Sequence, residues 1–178
     1  MAEHYNVLFL CTGNSARSIM GEAILNHLGG ARFTAFSAGS QPSGAVRPEV
    51  LNQLASAHIP NDGLRSKSWD KFSAPDAPKM DFVFTVCDNA ARETCPYWPG
   101  QPMTVHWGIR DPAAVRGTPG EVETAYRDAF LALERRICLL LGLSISGLDD
   151  LTLRTELEKI GQIDAVCTSS ELNPERRD

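Results

Sequence analysis

The stretch YNVLFLCTGNSARS, residues 5–18, decides the fold. Its apolar run ends at Cys11, a short polar loop around Asn14 follows, and a helical pattern begins at Ser18. In a strand–loop–helix unit the backbone N–H groups of the loop converge on one point, to which the helix N-terminus adds partial positive charge. This stretch therefore predicts an anion-binding loop that opens a helix.

The same loop holds candidate catalytic side chains. The field of the loop favours a thiolate at Cys11, so we expect a lowered pKa for this cysteine. Arg17 can direct two donors at one anion, and Ser18 can donate a hydrogen bond to the sulfur. The alternative is a core cysteine that ends a strand, with Arg17 capping the next helix. The expected oxyanion-binding residues are Thr12, Gly13, Asn14, Ser15, Ala16 and Arg17.

Length and composition limit the class of protein. A chain of 178 residues suits one domain, and 43% hydrophobic residues suffice for a sizeable core. The net charge of −5 without a basic cluster argues against nucleic acid as a partner. We see no membrane-spanning run and no signal-peptide pattern, so we expect a cytoplasmic protein without membrane contact. We also expect a monomer. In that compartment the five cysteines are expected to be thiols or redox groups.

Hydrophobic patterning predicts strands that alternate with helices. The predicted strands are 5–10, 32–37, 81–86 and 103–106. The predicted helices are 18–28, 48–58, 67–73, 121–142 and 149–161. Residues 88–102 read as a loop and the end from about residue 168 as a frayed tail. The order predicts a single-domain α/β fold with a parallel sheet flanked by helices, in which we place a catalytic unit at 1–143 and a helical extension with a tail at 144–178.

Three chemically interesting residues follow predicted strands. Cys11, Cys87 and Asp111 each come directly after a strand or in the loop behind it. The carboxyl ends of parallel strands meet at one edge of a sheet, where such folds bind their ligands. We therefore expect all three side chains at one site.

Four motifs then resemble a known family. They are LCTGNSARS at 10–18, SAGS at 37–40, DFVFTVCDN at 81–89 and HWGIRDP at 106–112. Together they are similar to arsenate reductases built on the low-molecular-weight tyrosine phosphatase fold, over roughly residues 5–142. The resemblance implies a four-stranded parallel sheet and the reduction of arsenate to arsenite with electrons from thiols. It implies no tightly bound cofactor, and arsenate, phosphate or sulfate as oxyanion ligands.

The resemblance also implies roles for single residues. Cys11 would attack arsenic, and Asp111 would protonate the leaving oxygen. Cys87 would then attack the Cys11 sulfur, and Cys95 would carry the disulfide onward to thioredoxin, or glutathione with glutaredoxin would supply the electrons. The residues alone leave alternatives open: a core cysteine at 87, a loop cysteine at 95 and a turn at Asp111-Pro112.

Further residues carry weaker expectations. Asn14, Glu22 and Ser37 match positions that help to bind potassium in some of these reductases. Cys138 is expected in the core, and the aromatic residues 97 and 98 could form a partner-docking surface.

Two other functions remain open. A phosphomonoester or tyrosine phosphatase would use the same Cys11, Arg17 and Asp111. Ala113 and Ala114, which stand where such phosphatases carry aromatic residues, disfavour it. The other is a non-catalytic anion-binding or thiol-sensing protein.

Overall fold

The computed structural model describes residues 3–163 and contains one four-stranded sheet. The strands are β1 (Tyr5–Cys11), β2 (Phe33–Gly39), β3 (Phe82–Thr85) and β4 (Met103–His106). All three strand pairs are parallel, in the order β2-β1-β3-β4. The predicted α/β fold with a four-stranded parallel sheet flanked by helices is confirmed.

Helices cover both faces of the sheet. They are α1 (Arg17–Leu28), α2 (Pro48–Ser56), α3 (Asp70–Ser73), α4 (Asp88–Arg92), α5 (Pro119–Leu141) and α6 (Asp150–Gly161). Short 3₁₀ turns occupy Gly30–Arg32, Pro112–Ala114 and Ile145–Gly147. The expectation that 88–102 is all loop was wrong at its start, because the Cys87 sulfur accepts the Ala90 N–H and so caps the short helix α4.

The long helix α5 begins two residues before its predicted start at 121. Thr118 and Glu121 form a reciprocal capping box, in which each side chain accepts the other residue's backbone N–H at 3.2 Å. Pro119 occupies the first turn, where its missing N–H costs nothing. These local signals fix the beginning of the helix.

The central strand β1 divides the core into two clusters. Val7 and Phe9 pack on the side of α1 and α5, whereas Leu8 and Leu10 pack with Phe72 on the other side. Successive strand residues point to opposite faces, and both faces are covered. The unbroken apolar run of β1 follows from this burial on both sides.

Two expectations about the surface were wrong. Cys138 is exposed, because α5 turns it away from the buried stripe that contains Leu133, Ile137 and Leu140. Trp98 is only 7% exposed and packs edge-on against Trp69, so of the aromatic pair 97 and 98 only Tyr97 faces solvent.

The end of the chain is described as far as residue 163. In the described part, no helix is both long and apolar enough to cross a membrane. Cys167 and the predicted tail from residue 168 lie outside the described residues. The proposed boundary between 143 and 144 stays a prediction.

Candidate active site

The loop between β1 and α1 turns its carbonyl groups outward. The carbonyls of Thr12, Gly13 and Ser15 accept backbone hydrogen bonds of 2.9 to 3.1 Å from residues 41–47. In a trans peptide the N–H points opposite to the carbonyl. The amides that follow these carbonyls therefore point away from residues 41–47, and the Gly13 N–H favours the thiolate form of Cys11.

Asn14 holds the shape of this loop. It has a φ of 43°, in the left-handed region that asparagine tolerates better than most residues. Its buried side chain donates to Ser18 Oγ at 2.8 Å and accepts the Lys67 backbone N–H at 2.8 Å. The end of β2 also lies close, since a Cβ on Gly39 would stand 2.4 Å from the Thr12 carbonyl oxygen. The loop is thus braced from two sides.

Cys11 and Cys87 are brought together by the sheet. β1 and β3 are neighbours, and the Val86 N–H donates to the Leu10 carbonyl at 2.9 Å just before the two cysteines. Both cysteines are buried and form no disulfide, and each thiol affects the acidity of the other. Thr12 Oγ1 lies 3.6 Å from the Cys87 sulfur. The expected meeting of Cys11 and Cys87 at one edge is therefore present.

Each of the two thiols changes the acidity of the other. The neighbouring Cys11 thiol, aided by the Ala90 N–H and Thr12, lowers the pKa of Cys87 to about 5 against the burial that opposes it. The neighbouring Cys87 thiol and then burial raise the pKa of Cys11, against the charge of Arg17 and the Gly13 N–H. The first ionisation belongs to the pair. The expectation of a lowered pKa for Cys11 by itself was wrong in this state.

Arg17 and Asp111 meet on the other side of the loop. Arg17 Nη1 donates to the Ile109 carbonyl at 2.8 Å, and Nη2 lies 3.5 Å from Asp111 Oδ2. Asp111 also accepts the Ala113 N–H, which starts the 3₁₀ turn. Arg17 Nε is buried without a hydrogen-bond partner among the described residues. A bound oxyanion would satisfy that donor.

These groups line one polar cleft of about 580 Å³. Its walls include Arg17, Cys87, His106, Asp111, Gly161 and Gln162. His106 is held by Thr85 at 2.8 Å and by Asp88 at 3.0 Å. The cleft therefore combines the Cys87 thiol, a guanidinium and a carboxylate.

Cys95 lies apart from the thiol pair. It is half-buried against the second core cluster, next to residues such as Trp98. Burial and the nearby charge of Glu93 raise its pKa. In residues 3–163 no hydrogen bond joins Cys95 to Cys11 or Cys87.

The expected potassium ligands surround an ammonium group. Lys67 Nζ lies 3.4 Å from Glu22 Oε2 and 3.2 Å from Ser37 Oγ, and Ser37 also donates to the Glu22 carboxylate. The side-chain oxygen of Asn14, the third expected ligand, accepts the Lys67 backbone N–H. The oxygens expected to bind potassium already bind Lys67, so these residues do not fit the ion.

Sequence patterns alone missed two of the residues that organise the site. The sequence carries no signal for Lys67, since a lysine in a polar stretch is expected at the solvated surface. It does carry a signal for Arg136, which is a charged residue within the apolar stripe of α5. It is buried and donates to the Trp107 carbonyl at 2.9 Å, behind the loop that carries Asp111.

Comparison with known proteins shows one family and arsenate reductases as relatives of this chain. The profile of the family described as low molecular weight phosphotyrosine protein phosphatase matches residues 6–143. An arsenate reductase of Halalkalibacterium halodurans is 33% identical over 131 residues, 74% of this chain and 91% of that one. An arsenate reductase of Oceanobacillus iheyensis is 32% identical over 121 residues, 68% of this chain and 84% of that one.

Solved structures agree with these sequence relatives. The structure described as an arsenate reductase in the phosphate binding state superposes with a TM-score of 0.63 at 26% identity. The match covers 77% of this chain and 96% of the other.

Proposed function

This chain belongs to the low molecular weight phosphotyrosine protein phosphatase family, and we propose that it is an arsenate reductase of this family. The observation that carries the proposal is the position of Cys87 next to Cys11, at the ends of paired strands and beside the anion-binding loop. Hydrolysis of a phosphate ester needs one thiol and water, whereas reduction needs a second thiol that can reach the first. Cys87 is that second thiol.

The first step forms a bond between sulfur and arsenic. Arsenate binds to the amides of residues 12–17 and to Arg17, including its unpaired Nε. The Cys11 proton moves to Cys87 when the anion arrives, and the Cys11 thiolate attacks arsenic. One arsenic–oxygen bond breaks, and the oxygen leaves as water after taking a proton from Asp111. Ser18 supports the Cys11 thiolate by a hydrogen bond from its hydroxyl.

The second step transfers two electrons. The Cys87 sulfur attacks the Cys11 sulfur while the Cys87 proton passes to an oxygen of the departing arsenite, and a disulfide bond forms between the two cysteines. The electron pair of the sulfur–arsenic bond stays with arsenic, so As(V) becomes As(III) and arsenite leaves. The two cysteines supply both electrons and are oxidised to the disulfide.

A thiol reductant then restores the enzyme. Cys95 is the third thiol of the relay, attacking Cys87 and presenting the final disulfide to a dithiol protein such as thioredoxin. This requires residues 88–95 to rearrange, because Cys95 packs against the opposite side of the sheet from the thiol pair. If Cys95 is structural, glutathione with glutaredoxin takes its place.

The proposal also covers the potassium site, the competing oxyanions, the compartment and the oligomeric state. Lys67 supplies the positive charge beside Glu22 and Ser37 in place of potassium. Phosphate and sulfate compete with arsenate for the loop. The thiol relay suits a reducing compartment such as the cytoplasm, and action as a monomer stays a prediction from the sequence.

Phosphate ester hydrolysis is the second candidate function, favoured by the shared Cys11, Arg17 and Asp111. The 3₁₀ turn after Asp111 holds only Pro112, Ala113 and Ala114, so it offers no aromatic side chain to hold a tyrosine ring. A weak activity toward aryl phosphates is therefore compatible with the first proposal.

One experiment separates the two functions. Arsenate-dependent NADPH oxidation is measured with thioredoxin and thioredoxin reductase, and in parallel with glutathione, glutaredoxin and glutathione reductase. Cys87→Ser should abolish arsenate turnover and keep hydrolysis of an aryl phosphate, and Cys11→Ser should abolish both. Cys138→Ser, which alters an exposed thiol, is the matched control. Brisk aryl phosphate hydrolysis without arsenate turnover in either system would identify a phosphatase instead.

A further inference from the structure

Helix α6 lies beyond the residues that match the family, yet it packs on the catalytic sheet. β4 is an edge strand, and α6 lies along it. Arg154 on this helix donates to the Thr104 carbonyl of β4 at 3.0 Å. The extension thus satisfies a group at the edge of the sheet that would otherwise be open.

Trp107 connects this helix to the loop that carries Asp111. It follows β4 directly, is fully buried and stacks on Phe84 with ring centroids 3.9 Å apart. Its indole N–H donates to the Leu157 carbonyl of α6 at 2.9 Å. The start of the loop of residues 107–111 is therefore tied to α6.

Gly161 allows the last turn of α6 to come close. A Cβ at this position would stand 2.8 Å from the His106 carbonyl oxygen and 2.8 Å from Trp107 Cδ1. Real Cβ atoms essentially never come so near, so any side chain at 161 would push the helix end and the loop apart. Gly161 and Gln162 also line the catalytic cleft.

Arg136 fastens the same junction from α5. Its guanidinium donates to the Trp107 and Gly108 carbonyls at 2.9 and 3.1 Å, and to the Ile163 carbonyl at 3.2 and 3.3 Å. On the far side of the loop, Arg17 donates to the Ile109 carbonyl. Contacts to the extension thus hold the start of the loop, and the catalytic guanidinium holds its middle.

We propose that the last turn of α6 is a positioning element of the active site, which sets the loop of residues 107–111 so that Asp111 stands beside Arg17. This rests on the proposed role of Asp111 as the general acid. Gly161 and Trp107 are positioning residues, because they act on Asp111 through the loop.

The test replaces Gly161 by Ala and follows kcat/KM for aryl phosphates with good and poor leaving groups, p-nitrophenyl and phenyl phosphate. A displaced acid should lower kcat/KM for phenyl phosphate by roughly tenfold to a hundredfold, and less for p-nitrophenyl phosphate. The inhibition constant of inorganic phosphate should not change, because the Cys11 loop is untouched. Gly147→Ala is the matched control, as its nearest neighbour is 3.9 Å away.

A double substitution gives the decisive readout. In an Asp111→Asn background, Gly161→Ala should have almost no further effect, because the group it displaces is already gone. An equal loss with and without Asp111, or no loss at all, would overturn the proposal. If Gly161→Ala does not fold, Trp107→Phe, which removes the indole donor but keeps a stacked ring, is judged by the same comparisons.

The outcome is separable from that of the proposed function. If the protein hydrolyses aryl phosphates but does not reduce arsenate, the proposed reductase activity is refuted. The Gly161→Ala test can still be made, since both reactions would use Asp111. If the protein reduces arsenate but Gly161→Ala keeps the parent kcat/KM for aryl phosphates, only the proposed role of α6 is refuted.

Discussion

Cys11 and Cys87 lie next to each other at the carboxyl ends of the neighbouring strands β1 and β3. The pairing of these strands brings the two residues together. The same contact makes each thiol the main influence on the acidity of its partner. A single structural relationship therefore governs both thiolate formation and the proposed electron transfer.

The first prediction concerns the pKa values of this pair. The neighbouring Cys87 thiol is the largest cause that raises the pKa of Cys11, so Cys87→Ala should lower this pKa and leave Arg17 to favour the thiolate. The opposite substitution, Cys11→Ala, should raise the pKa of Cys87 from about 5. Iodoacetamide alkylation against pH, in chains that lack the other three cysteines, measures both values. Unchanged titration curves would show that the thiols do not interact.

The second prediction concerns Asp111. Loss of a general acid costs about 10²–10⁴ in rate, and more when the leaving oxygen is a poor leaving group. Asp111→Asn should therefore slow phenyl phosphate much more than p-nitrophenyl phosphate, with little change in phosphate binding. Asp128→Asn, on the exposed side of α5, is the control. An equal loss for the two esters would assign Asp111 to positioning Arg17 rather than to proton transfer.

The third prediction concerns the oxyanion. Binding to the folded loop alone should stabilise the protein, by about 2.7 kcal/mol when the free anion is a hundredfold above its dissociation constant. Arsenate, phosphate and sulfate should each raise Tm relative to chloride at equal ionic strength. Arg17→Lys should weaken the effect, because lysine cannot direct two donors at one anion. A Tm independent of millimolar oxyanion would contradict the anion-binding loop.

Much of this fold could be predicted because its signals are local. The apolar run of β1 and the polar loop after it lie within 14 consecutive residues, and burial on both faces explains why this strand does not alternate. The start of α4 could not be predicted, since its cap is a sulfur that accepts the Ala90 N–H. Trp98 was misjudged because only the packing of distant segments, such as Trp69, decides whether an aromatic residue is covered.

The site shows the same division. The rule that ligands bind at the carboxyl ends of parallel strands correctly predicted that Cys11, Cys87 and Asp111 lie near each other. The partner of a polar side chain, in contrast, is decided by tertiary packing. Nothing in the sequence places the ammonium of Lys67 against Glu22, or the carbonyl of Ile163 on Arg136.

The fourth prediction concerns Lys67. Its ammonium is partly desolvated, which lowers its pKa, and the charge of Glu22 opposes that shift. Lys67→Ala leaves the largely buried Glu22 carboxylate without its positive partner, although Ser37 still donates to it, so the free energy of unfolding should fall by roughly 1–3 kcal/mol. Lys71→Ala, at a nearby exposed lysine, should have little effect. Urea unfolding measures both.

Potassium gives this prediction a second readout. If the Lys67 ammonium takes the place of the ion, KCl should raise the Tm of Lys67→Ala more than NaCl does. The parent protein should have the same Tm in both salts. A potassium-specific rise in the Tm of the parent would show that the ion binds despite Lys67.

The fifth prediction separates the two proposed reductant systems through Cys95. If Cys95 resolves the disulfide, Cys95→Ser should reduce thioredoxin-coupled turnover by about tenfold or more, because the final exchange loses its attacking thiol. A single turnover, which uses only Cys11 and Cys87, should release arsenite at the parent rate. Cys138→Ser provides the control for loss of a thiol outside the relay. If single turnover slows by the same factor, Cys95 serves the packing of the second core cluster, and the electrons that restore Cys87 come from glutathione.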